Sequence, residues 1–119
     1  DPHPVLPTPV NVLRIGDTVL CTNQFELYTD FAIQIKARSK AVQTFVVQLA
    51  NGAAQPQPPD DASEDDKNDW HYASGGTYLP SERAAKGGGY GAVIQSNVVG
   101  PEGGQVLVEK TLEMINAMF

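Results

Sequence analysis

Residues 22–39 read TNQFELYTDFAIQIKARS, and the way this stretch folds decides the architecture around it. Phe25, Tyr28, Ala32 and Ile35 recur at three- and four-residue spacing with Phe31 beside them, which predicts a helix with one apolar face. Thr22 or Asn23 is suited to cap its start, because a short side-chain oxygen there accepts an otherwise orphaned backbone N–H. Lys36, Arg38 and Lys40 gather at the far end, where the negative pole of a helix favours cations. On this reading Glu26 lies in the opening turn, where the dipole favours its ionised form. A carboxylate so placed can be a helix-stabilising charge, a metal ligand or a general base, and residue type alone favours the first.

Working outward, Asn11–Ile15 and Thr18–Cys21 are rich in Val, Leu and Ile and flank the turn Gly16-Asp17, which predicts two short strands. After the helix, Gln43–Ala50 (QTFVVQLA) is the strongest strand signal in the chain, a β-branched and aromatic run expected of a strand covered on both faces. Strand, helix, strand in this order predicts a βαβ unit with a crossover helix. A strand expected at Tyr90–Gln95 and a last helix over about Gln105–Met118 complete the pattern. Val108, Leu112, Ile115 and Phe119 mark that helix's buried face, with Glu109, Lys110 and Glu113 outside and Met114 and Met118 as core or subunit contacts. The fold class is therefore α/β: short strands, a crossover helix and a C-terminal helix, expected to be part of a larger mixed-sheet domain.

Two segments stand outside this plan, within what is otherwise a single domain portion spanning residues 1–119. Residues 1–9 hold four prolines, which remove backbone donors and favour an extended arm. Residues 52–74 carry Pro56, Pro58 and Pro59 and then Asp60, Asp61, Glu64, Asp65, Asp66 and Asp69, with little that could bury a core, so a solvated acidic insertion is expected. That run, opposed only by Lys67, holds five of the chain's six net negative charges, so the remainder is nearly neutral. With no basic stripe to neutralise phosphates, nucleic acid is not expected as a partner. No apolar run long enough for a transmembrane helix occurs, the N-terminus lacks the regions of a signal peptide, and the absence of an initiator Met is read as processing or excision from a longer chain.

The candidate chemistry is sparse. A single cysteine, Cys21, excludes an internal disulfide and reads as a small buried hydrophobe rather than a nucleophile. His3 and His71 are ordinary solvated histidines before they are ligands. Asp65–Asp69 lacks the glycine of a calcium loop. Gly75-Gly76 lets the backbone pass close to a neighbour, with Tyr78 on the tight segment after it and Pro80 able to open a short helix. A hydrogen-bonded, buried phenol is the plain reading of Tyr78. Gly87-Gly88-Gly89 reads as a turn, not a phosphate cradle.

Three pieces in sequence, Glu26 through Ile35-Lys36-Ala37-Arg38-Ser39, the strand Thr44-Phe45-Val46-Val47-Gln48-Leu49-Ala50, and Tyr78-Leu79-Pro80-Ser81-Glu82-Arg83-Ala84 with Gly88-Gly89-Tyr90 and the helix opening at Gly103-Gly104, resemble the C-terminal part of the catalytic domain of neutral (non-lysosomal) ceramidases and their bacterial relatives. The resemblance implies hydrolysis of an N-acyl amide, typically ceramide, at a single zinc, with Glu26 as the ligand glutamate and Tyr78 as a tyrosine that reaches the same metal. Zinc lowers the pKa of a bound water towards about 7, and a phenol can help hold the oxyanion formed when that water attacks an amide carbonyl. The resemblance also implies a secreted or cell-surface setting.

The departures from that family bear on activity. Its two zinc histidines lie in upstream motifs that this chain lacks, and His3 and His71 do not match them. Gln24-Phe25 stands where small residues are common, Ala32 where glycine is common, and Ser81 where threonine is usual; the acidic insertion is unusual too. One carboxylate and one phenol are too few for a catalytic zinc, so the chain alone is expected to be inactive. The expected partner is an upstream portion of the same protein or a second chain, supplying the histidines and most of the sheet; a homo-oligomer is a further option. The rival reading is a non-catalytic structural or self-assembly module on the same scaffold.

Overall fold

A computed structural model describes residues 8–51, 63–65, 77–93, 97 and 99–119. The readings placed on His3, on most of the N-terminal arm, on His71, on Gly75-Gly76 and on most of the acidic insertion lie outside them. The fold is α/β, with strands of mixed orientation and a C-terminal helix. β1 (Asn11–Ile15) and β2 (Thr18–Thr22) form an antiparallel hairpin. The turn between them uses Gly16 at φ 61°, a left-handed conformation that glycine adopts without the Cβ penalty. After β2 come β3 (Glu26–Leu27), α1 (Thr29–Arg38) and β4 (Gln43–Val47), and β4 pairs parallel with β2. The crossover through α1 is the βαβ unit expected from the sequence, within a sheet ordered β1-β2-β4.

The helix is shorter than predicted. Residues 23–28 are not helical, and α1 begins at Thr29. Asn23 is buried and its side-chain oxygen accepts from the Phe25 backbone at 3.0 Å, an Asx turn that takes the chain out of β2 instead of capping a helix. Phe25 leaves the expected helix face and is buried with Leu79 and Leu107. Glu26 and Tyr28 then donate their backbone N–H groups to Thr77 and Leu79, at 2.8 and 3.3 Å, so this segment is held extended by β5 (Tyr78–Leu79). Asp30, not Glu26, occupies the first helical turn.

One face of the main sheet is covered. Val19 and Cys21 of β2 pack against Phe31 and Ile35 of α1 and against Val108, Leu112 and Ile115 of the last helix, α3 (Gly103–Asn116). The helices meet closely because Gly104 is bare: a Cβ there would overlap the Phe31 ring. Asn116 joins their ends, accepting from the Lys40 backbone and donating to the Arg38 carbonyl. Arg38 and Glu109 add a two-bond ion pair on the surface, at 2.7 and 2.8 Å.

Among the described residues nothing covers the other face of the sheet, which corrects the expectation of a strand covered on both sides. Leu13, Leu20 and Phe45 stand opposite one another across the three strands, flanked by Ile15 and Val47. Leu13, Ile15 and Phe45 are 57%, 62% and 49% exposed. Two further expectations change. Tyr90–Val93 form turns and a bend instead of the start of a strand. Phe119 is exposed, lying under the Arg14 guanidinium at 3.8 Å, because the helix ends at Asn116 and Phe119 falls beyond it, off the helical face that Ile115 carries into the core. The short helix after Pro80 is present as α2 (Glu82–Gly87), where the Ser81 hydroxyl caps the Ala84 N–H and Gly88 closes in the left-handed region.

Candidate functional site

The parallel pairing of β3 with β5 places Glu26 directly opposite Tyr78. Both line a cleft of about 420 Å³ with Leu27, Tyr28, Thr29, Asp30, Gln48 and Tyr90. Each wall is fixed by hydrogen bonding. The Gln48 side chain accepts from the Leu27 N–H at 2.9 Å, tying the end of β4 to β3. The Thr77 hydroxyl donates to the Glu26 carboxylate, and the Tyr28 hydroxyl donates to the Tyr90 carbonyl.

Tyr78 is half-buried, not the fully buried phenol of the plain reading. Its ring lies against Gly91, where a Cβ would come within 2.6 Å of it; Gly91 also sits at φ 72°, so only glycine suits this turn. Tyr78 and Tyr90 meet edge to face, with centroids 5.7 Å apart and planes at 86°, an arrangement that sets a positive ring edge on a negative face. Desolvation raises the Tyr78 pKa above its ordinary value, with hydrogen bonding to Tyr90 and the charge of Glu26 adding to the rise. The group is therefore a neutral phenol at neutral pH, able to donate to an oxygen in the cleft.

The sequence singled out Glu26 and Tyr78, and the fold brings them together. It did not single out Tyr28, Asp30, Gln48 or Thr77 for this cleft, because each arrives through a tertiary pairing. Tyr90, which follows three glycines, was the one with a local signal. Cys21 is elsewhere, buried under the helices, where burial pushes its thiol up to about 11 and its proton points to the Phe45 carbonyl at 3.4 Å. That is the inert, hydrophobe-like cysteine expected.

The fit to a catalytic zinc is partial. Among the described residues the cleft offers the carboxylates of Glu26 and Asp30 and the phenols of Tyr28, Tyr78 and Tyr90, and no imidazole. Among the described residues no three His, Cys, Asp or Glu side chains come together as a metal-holding group. Catalytic zinc takes three protein ligands and usually includes histidine, so these donors alone do not make the site.

No family model, no curated protein and no solved structure matches the chain.

Proposed function

We propose that this chain is the C-terminal segment of a ceramidase-like, zinc-dependent amidohydrolase acting on N-acyl amides, and that it is inactive by itself. An upstream portion of the same protein, or a second chain, supplies the histidines. The observation that carries the reading is the direct opposition of Glu26 and Tyr78 across β3 and β5 within one cleft. These are the two residues that the resemblance makes metal-facing, and they lie 52 positions apart in sequence. The open apolar sheet face supports incompleteness, since Leu13, Ile15 and Phe45 form the kind of surface that another layer covers.

The test is metal analysis of the chain assembled with its upstream portion. One zinc per complex, reduced by Glu26→Gln or Tyr78→Phe while assembly persists, supports the proposal. Zinc content and amide hydrolysis that ignore both substitutions overturn it. The same open sheet face also favours a second reading, a non-catalytic assembly module; intact assembly with no zinc bound assigns the chain to it.

A further inference from the structure

The cleft has a feature that a role as metal ligands does not use. Among the described residues that line it, three are tyrosines, two carry carboxylates and none is basic. Two of the rings are held edge to face, and the third, Tyr28, bonds through its hydroxyl to the Tyr90 carbonyl, which fixes the turn that presents Tyr90. An aromatic face carries the negative part of the ring quadrupole and attracts a cation set over it. Glu26 and Asp30 add formal negative charge on the same walls. A compact inorganic cation draws mainly on the carboxylates, an anionic ligand is repelled by them, and a neutral one gains no charge attraction from them. An alkylated ammonium uses both, its methyl or methylene shell against the rings and its charge against the carboxylates. The volume is in the range of small-molecule sites, about 300–1,000 Å³, with room for such a headgroup.

We infer that this cleft binds an organic ammonium group, with Tyr78 and Tyr90 as aromatic walls and Glu26 and Asp30 as counter-charges. The inference requires no metal and concerns the chain by itself; it draws on Glu26 and Tyr78, the same side chains that the hydrolase proposal assigns to zinc in the assembled protein.

The test is titration of the full chain with choline and with 3,3-dimethylbutan-1-ol, its uncharged isostere, at constant ionic strength, followed by the tyrosine ring resonances. The expected result is saturable shifts at Tyr28, Tyr78 and Tyr90 with choline and none with the alcohol. Tyr90→Leu should weaken choline binding about threefold or more, and Glu26→Gln and Asp30→Asn should weaken it as well. Tyr90 is 86% exposed, so its replacement leaves the core untouched; unchanged amide resonances of β1, β2 and β4 confirm the fold. Phosphatidylcholine vesicles that bind as well as free choline identify a lipid headgroup, and choline alone identifies a soluble amine. Equal binding of alcohol and choline, no binding of choline, or an affinity indifferent to Tyr90→Leu overturns the inference. Zinc content of the assembled complex is measured separately, so failure here leaves the hydrolase proposal standing, and the reverse.

Discussion

At the scale of single residues, the Glu26–Tyr78 pair and the Arg38–Glu109 pair make opposite electrostatic predictions. Desolvation, Tyr90 and the negative charge of Glu26 all disfavour the Tyr78 phenolate. Glu26→Gln removes the charge, so the Tyr78 titration should move down, read from phenolate absorbance against a Tyr78→Phe blank. No movement would mean that the carboxylate does not face the phenol in solution. Glu109 behaves differently: hydrogen bonds from Arg38 and Gln105 hold its carboxyl down at about 2, against an ordinary 4.5. A carboxyl depressed in the folded state stabilises above the unfolded value, and that contribution fades as pH falls through the folded one. The difference in melting temperature between the wild-type chain and Glu109→Gln should therefore be full above about pH 4.5 and disappear towards about pH 2. Both side chains are half-exposed, so the effect should be modest and should shrink with salt.

At the scale of elements, the crossover helix and the last helix depend on close contact at one position. Gly104→Ala puts a methyl into the Phe31 ring, so either the ring or the helix must shift. The expected cost is about 1–3 kcal/mol, measured by urea unfolding. Ile35→Ala, in the same core and fully buried, removes volume instead and should cost about 2–5 kcal/mol. If Gly104→Ala is neutral, the helices do not meet as described. Much of this level was legible beforehand. The Gly16 hairpin, the strand-helix-strand order and the apolar face of Val108, Leu112 and Ile115 follow from local pattern. The start of α1 did not, because the period from Phe25 to Ile35 fits a helix whether or not the chain uses it. The carbonyls of Thr77 and Leu79, far along the sequence, hold Glu26 and Tyr28 extended.

At the scale of the whole molecule, the uncovered sheet face is the main consequence. Leu13, Leu20 and Phe45 line up across three strands with solvent on them. A large exposed apolar patch marks a surface for another chain or an aggregation liability. Leu13→Thr with Phe45→Thr should reduce binding of a hydrophobic dye and raise solubility of the isolated chain, with little change in its melting temperature. In the proposed assembly with an upstream portion, the same pair should weaken association. Unchanged dye binding would show that the face is already covered.

The sequence by itself determined the β1–β2 hairpin, the strand-helix-strand crossover and the last helix, because hydrophobic spacing, turn glycines and capping residues act over a few positions; it did not give β3 or β5. It also picked out Glu26 and Tyr78 through resemblance. The tertiary structure alone decided that these two face each other in one cleft, that Tyr28, Asp30, Gln48 and Tyr90 share it, and that one sheet face is left uncovered by the described residues. Such facts depend on strand pairing between distant segments, and local periodicity carries no record of which distant backbone groups will supply the missing hydrogen bonds.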